Sequence, residues 1–240
     1  MLVMKKNLFS YICVVLAAIM AAVFSGKLYL ARFAVAEWRD SRPVIILDAG
    51  HGGEDGGAVS ASGIRECEIN LQICCRADAL LRLLGQPTQM LRTEDRSLHS
   101  DSAASISEKK ISDLHNRAAA VNQKSNAILV SVHQNTFHQT QYRGAQVFYA
   151  PTCGSAELAE AMQNSFRTHL EEDNKRQIKP ADSIYLMNHV SCPAVLVECG
   201  FLSNPEECRK LCTPEYQKQI AMILSVESME YMRKVMADEV

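Results

Sequence analysis

Three short apolar runs each stop abruptly on one polar side chain, and this pattern restricts the possible folds more than any other feature. Val44–Leu47 stops at Asp48, Ala127–Val132 (broken only by Ser131) at His133, and Ala194–Val197 at Glu198. Runs of this length without polar alternation predict strands covered on both faces, as in a parallel sheet. Between them lie segments of helical period. Glu66–Leu84 places Ile69, Ile73, Ala77, Leu80, Leu81 and Leu84 on one face, and Gly85 supplies the stop. Thr88–Arg92, Ala145–Tyr149 and Ser183–Leu186 predict further strands, and Asp113–Lys124, Glu157–Glu171 and Pro214–Met236 helices. Glu94–Ser112 is polar and reads as loop. Asn204-Pro205-Glu206-Glu207 carries agreeing helix-start signals: Asn at the N-cap, Pro at the first position and an acid at the third. This alternation predicts an α/β fold, one domain with a largely parallel sheet of about six strands, and there is no internal repeat.

The first 42 residues are different in kind. Asn7–Gly26 is free of charge and follows Lys5 and Lys6, which describes a hydrophobic helix serving as a signal peptide or a membrane anchor. The expected organisation is that leader at 1–26, a basic connector at 27–42 and a globular domain at 43–240 that is exported. Residues 1–42 carry a net charge of +4 and the remainder −6. An acidic domain excludes a nucleic-acid partner held by bulk electrostatics. Of nine cysteines, eight lie beyond the leader, yet Cys74 and Cys75 are adjacent and Cys208 and Cys212 share a helix face. No CxxC pair occurs, so they read as mostly free, buried, alanine-like residues.

Polar residues cluster where strands end. His51 lies in the Gly-rich loop after the first strand, Glu66 opens the next helix, and His133 and Glu198 terminate two more strands. Ligands bind beyond the carboxyl ends of strands in open α/β sheets, so these four residues are placed to converge. Two His and one Glu form a donor set that zinc uses in hydrolytic sites, and a second carboxylate outside the ligand set can carry protons. The residues suggest metal-assisted hydrolysis with His51, Glu66 and His133 as ligands and Glu198 as acid/base. Burial should raise Glu198 toward neutrality. Alternatives stay open at this point: Glu68 in place of Glu66, Asp48 or Asp55 completing a di-metal site, or the glycines around His51 forming an anion nest.

Four co-linear segments carry a resemblance. Leu47–Ala58, Gly63–Glu66, Ser131–Asn135 and Ala194–Asn204 resemble the zinc-dependent N-acetylmuramoyl-L-alanine amidases of the type-3 amidase family, with the match running across 44–235. The resemblance implies a twisted mixed sheet flanked by helices, and a zinc amidase catalytic domain over 43–240 with one zinc ion per chain. It also implies peptidoglycan as substrate, cut at the amide between the lactyl group of muramic acid and L-alanine. His51, Glu66 and His133 match the ligands and Glu198 the catalytic carboxylate. Asn174–Pro180, Ile184–Met187 and Ser203–Glu207 further resemble the sporulation and germination-specific cortex amidases. Asn135, Arg143 and Arg176 are candidates for holding substrate. Cys67 replaces a usual Lys after the ligand Glu, Ala49 replaces a Pro, and Thr93-Glu94 stands for a strand-ending Thr-Arg. The competing expectations are a zinc peptidase cutting within the stem peptide and a non-catalytic wall-binding relative. A further one is a site ordered only by an accessory protein or a homodimer, with the membrane contacted through the N-terminal segment.

Overall fold

The computed structural model describes residues 19–30 and 42–238, and the chain divides into two units at Arg42/Pro43. The first unit contributes a helix, α1, over residues 19–30. Most of the leader and connector lies outside the described residues. Among the described residues no helix is long and apolar enough to cross a membrane.

The second unit runs β1 (Val44–Ala49), α2 (Glu66–Leu83), β2 (Thr88–Met90), α3 (Ile106–Asn122), β3 (Ala127–Asn135) and β4 (Gln146–Tyr149). It continues α4 (Ser155–His169), β5 (Lys179–Pro180), α5 (Tyr185–His189), β6 (Ala194–Phe201), α6 (Pro205–Leu211) and α7 (Pro214–Asp238). Six strands form one sheet in the order β2-β1-β3-β6-β4-β5. The pairs β1–β2, β1–β3 and β3–β6 are parallel, while β4 runs antiparallel to β6, so the sheet is mixed as expected.

The apolar runs are buried on both faces because successive side chains point to opposite sides. Ile45, Leu47, Ile128, Val130, Val195 and Val197 join the core beneath α2, α4 and α7. Ile46, Leu129, Ala194 and Leu196 join a second core with Ala118 and Val121 of α3 and Leu186 and Met187 of α5. The same alternation puts Asp48, Ser131, His133 and Glu198 together on the α3 side, in line with Leu129 and Leu196.

Three sequence expectations need correction. Ser183–Leu186 is no strand: Tyr185–His189 is a short helix, and the strand in this region is β5, Lys179–Pro180, at the sheet edge. A Pro-containing pair at an edge has no strand-like periodicity to detect. The helix predicted from Asp113 begins at Ile106, started by Ser105, whose hydroxyl accepts from Glu108 N while Glu108 reaches back to the Ser105 N–H. That capping box was present in Ser105-Ile106-Ser107-Glu108, but exposed Ile106 and Ile111 gave the first turns no apolar face. β3 and β6 also run past the predicted stops, so His133 and Glu198 lie within strands and are register partners.

Two buried arginines tie the sheet to the loop after β1. Arg117 pairs with Asp48 through Nη1 and with Asp113 through Nε at 2.6 Å, and donates to the carbonyls of Ala49 and His51. Ser131 Oγ donates to the other Asp48 oxygen at 2.7 Å. Burial opposes ionisation of Asp48, but Arg117, then Ser131, hold its carboxyl below the usual range. Removing one partner of such a pair strands a buried charge. We therefore expect Arg117→Ala to cost about 3–5 kcal/mol in urea unfolding at neutral pH. Because Asp48 titrates lower in the folded state, the pair's contribution is full above the ordinary Asp range and fades as pH falls through the lowered value. The gap between wild type and Arg117→Ala should narrow in acid. A loss below about 1 kcal/mol at neutral pH would contradict this role.

Candidate metal centre

The centre forms at the carboxyl ends of β1, β3 and β6, where crossovers from β1 and β3 leave the sheet in different directions. Donor atoms of His51, Glu66 and His133 all lie within 4.8 Å of one another. His51 Nε2 is 3.4 Å from Glu66 Oε2, and His133 Nδ1 is 3.0 Å from Glu66 Oε1. Donors about 2.0–2.2 Å from a tetrahedral zinc stand roughly 3.4 Å apart, so the spacing suits such an ion.

Glu66 is fixed from several directions. It opens α2, where the free N–H groups favour an anion. Ala58 N donates to Oε2 at 2.8 Å, and Gln134 N and Asn70 Nδ2 donate to Oε1 at 3.0 and 3.2 Å. Burial works against its charge, yet hydrogen bonds from His133 and His51 prevail and hold the carboxyl well below the usual range. Asp55 Oδ2 lies 2.9 Å from His51 Nδ1, which keeps the proton on that nitrogen and frees Nε2 for a cation. Burial would lower His51, but Asp55 and then Glu66 raise it to about 9, so a cation taking Nε2 would displace a proton from it.

Two glycines let the backbone approach the donors closely. A Cβ on Gly50 would sit 2.2 Å from the His133 ring, and one on Gly57 would sit 2.5 Å from Glu66 Oε2 and 2.7 Å from His51 Cδ2. Gly57 also has φ +70° and His51 φ +61°, a left-handed conformation unfavourable for a side-chain-bearing residue. The Arg117 bond to the His51 carbonyl, at 2.8 Å, stabilises that conformation.

Glu198 faces this cluster from β6 as the register neighbour of His133. Its Oε2 is shielded from solvent and has no hydrogen-bond partner in the described chain. Burial pushes its carboxyl up to about 7, with His133 acting against the shift and Glu66 adding to it. An orphaned acidic oxygen beside three convergent donors is a candidate for proton exchange.

The carboxylate alternatives left open by sequence separate here. Glu68 points away and binds Arg65 at 2.6 Å. Asp48 is committed to Arg117 and Ser131, and Asp55 to the outer nitrogen of His51, so among the described residues only the His-Glu-His set converges. Asn135 ends β3, with its carbonyl accepting from Leu202 N. Arg143 is exposed, 3.8 Å from Asp173. Arg176 is bound to the Arg143 carbonyl and to Gln146 Oε1, and covers the Phe201 ring at 4.6 Å. Both arginines line a cavity of about 570 Å³ beside the end of β6.

Sequence reasoning missed Arg92. It read Thr93-Glu94 as the strand-ending pair, yet Arg92 is the buried residue: it donates to the carbonyls of Ala49, Gly50, Cys67 and Glu94. An Arg closing the predicted strand Thr88–Arg92 was the available signal. Among the described residues every cysteine is free; Cys67 and Cys199, flanking the two site carboxylates, are buried.

A family profile described as N-acetylmuramoyl-L-alanine amidase matches residues 45–225. The germination-specific N-acetylmuramoyl-L-alanine amidase of Bacillus subtilis (strain 168) is 35% identical over 182 residues, covering 75% of this chain and 76% of that protein. The CwlD amidase of Clostridioides difficile, solved in complex with the GerS lipoprotein, superposes with a TM-score of 0.77 at 35% identity, over 80% of this chain and 99% of that one. An N-acetylmuramoyl-L-alanine amidase of Clostridium difficile 630 superposes with a TM-score of 0.70 at 26% identity, over 80% and 97%. With the profile spanning the sheet, both histidines and both site carboxylates, the chain belongs to the N-acetylmuramoyl-L-alanine amidase family.

Proposed function

We propose that this chain hydrolyses the amide between the lactyl group of N-acetylmuramic acid and L-alanine in peptidoglycan, using one zinc ion held by His51, Glu66 and His133. The observation that carries this reading is the unpartnered Glu198 carboxyl oxygen beside a converged His-Glu-His set. The donors fit zinc in type, spacing and charge, and Gly50 and Gly57 keep their surroundings clear. A bound zinc ion supplies Lewis acidity toward the scissile carbonyl and toward water. Glu198 takes the proton of the attacking water and returns it to the departing alanine nitrogen. A carboxyl near neutrality suits both transfers. Asp55 holds the His51 tautomer, while Asn70, Ala58 N and Gln134 N fix Glu66.

Two similarities support a role in the spore cortex. The Bacillus subtilis relative is named germination-specific, and CwlD was solved with a lipoprotein. We assign this chain to the same step, acting outside the cytoplasmic membrane with an accessory lipoprotein. The uncharged run Asn7–Gly26 after Lys5 and Lys6 supports export or anchoring.

Glu198→Gln should retain one zinc per chain and lose about 10²–10⁴-fold in turnover. The measurement is mass spectrometry of digested peptidoglycan, where this amidase leaves a peptide-free lactyl group and a stem peptidase does not. Release at a near-normal rate by Glu198→Gln would remove the acid/base role. Gly57→Ala should abolish stoichiometric zinc in metal analysis, because the new methyl occupies the space of Glu66 Oε2, while circular dichroism stays native. Full zinc content in that variant would show that the ligands lie elsewhere.

A further inference from the structure

The loop from β3 to β4 presents aromatic rings that the hydrolytic chemistry above does not use. Phe137 and Tyr142 are 50% and 40% exposed and meet edge to face, with centroids 4.9 Å apart. A third ring, His138, lies 5.9 Å from Phe137. Large aromatics left in water at neighbouring positions are unfavourable to a chain with no use for them.

The rings are also held in place. Tyr142 is backed by the buried Phe201 ring at 6.4 Å, which is covered in turn by the Arg176 guanidinium. Phe137 N donates to Ser203 Oγ at 3.0 Å, and Asn204 Nδ2 donates to the Tyr142 carbonyl at 3.4 Å. The Glu207 carboxylate receives Gly144 N and Phe201 N, both at 2.8 Å, joining the loop's far end to β6. A loop pinned by so many bonds presents its rings in one arrangement, so little ordering remains to oppose binding.

The position is informative. Asn135 and Phe201 are register partners just beyond His133 and Glu198 at the same strand ends. At about 3.3 Å per residue, Phe137 stands no more than roughly 13 Å along the chain from His133, within reach of neighbouring sugar residues. Asn135 ends β3 just before this loop, and Gln139 and Gln141, both exposed, stand within it, placing amide donors and acceptors in the same stretch as the rings.

From this arrangement we infer that the 136–144 loop is a carbohydrate shelf: Phe137 and Tyr142 stack the apolar faces of N-acetylated pyranose rings of the glycan strand. The inference rests on the amidase reading. In that substrate the scissile carbonyl is separated from the sugar only by an ether oxygen and one carbon, so the glycan must pass the mouth of the site. The C–H face of a pyranose carries partial positive charge that suits the negative face of an aromatic ring, and the hydroxyl and acetamido groups require amide partners.

The test uses the full chain and peptide-free glycan strands of alternating N-acetylglucosamine and N-acetylmuramic acid. Phe137→Ala and Tyr142→Ala should each weaken retention on these strands about five- to tenfold and raise KM for intact peptidoglycan more than they change kcat. Phe137→Tyr, which keeps a ring, should restore retention. Unchanged melting temperatures exclude misfolding. Wild-type protein that does not bind peptide-free strands, or alanine variants that bind them as well as wild type, would overturn the shelf and leave the rings as a protein-docking face. Failure of the amidase reading is separate: it would appear as no peptide release by wild type even when supplied with its accessory lipoprotein, whatever the strands retain.

Discussion

One buried carboxylate organises the centre of this molecule. Glu66 stands at the first turn of α2, removed from water, and an anion there is tolerable only where donors surround it. The donors come from three separate segments: His51 and Ala58 of the glycine-rich loop after β1, Gln134 N and His133 of β3, and Asn70 one turn along α2. Satisfying a single charge therefore fixes the loop, two strand ends and a helix in one arrangement. Asn70 reaches Gly50 O as well, and its Oδ1 accepts from Gln134 Nε2, so the polar network closes upon itself. Such a network is costly when any member is missing, which makes the site and the local fold one cooperative object.

Two cations complete the frame without entering the site. Arg92 is buried and bonds only carbonyls, and burial, then the nearby Arg117, push its pKa down. Arg117 carries carboxylate partners and also grips the His51 carbonyl. A left-handed, non-glycine His51 would relax if free. The arginines supply the opposing force, and the result is an imidazole whose Nε2 faces Glu66 while Nδ1 faces Asp55. Stability in this region supports a geometry that the isolated loop would not choose.

How much of this the sequence disclosed depends on how local the cause was. Strand ends are local, so His133 and Glu198 were marked by apolar runs breaking on polar residues, His51 by its glycine-rich loop and Glu66 by opening the next helix; the structure brings donor atoms of His51, Glu66 and His133 together. The N-cap Asn204 was readable too, and it accepts from Glu206 N and Glu207 N. The role of Arg92 was not, because its partners are carbonyls brought in from residues 49, 50 and 67, which carry no side-chain signature. The choice between Glu66 and Glu68 required knowing which face of α2 meets the sheet. Asp48 and Asp55 looked like further ligands for the same reason: sequence places carboxylates near a site but does not show which already have partners. The α3 start and the β5–α5 region were misjudged where exposed Ile106 and a two-residue edge strand broke the usual correspondence between apolar pattern and burial.

Unmet demands distinguish what this structure does from what merely holds it together. Most buried polar atoms here are satisfied, and the arginines are satisfied several times over. Gln134 Oε1, Ser225 Oγ and Ser228 Oγ are exceptions, and so is the carboxyl oxygen Glu198 Oε2 on the register neighbour of His133; Phe137 with Tyr142 is the apolar counterpart, rings fixed in place yet left in water. An unsatisfied acid wants a proton or a polar partner, and exposed, immobilised rings want an apolar face. Both lie at the same strand ends, on and just beyond paired residues of β3 and β6. A single ligand answering both must carry a reactive polar linkage close to a rigid ring with one apolar face, and the lactyl amide of a muramic acid residue within a glycan strand has that form.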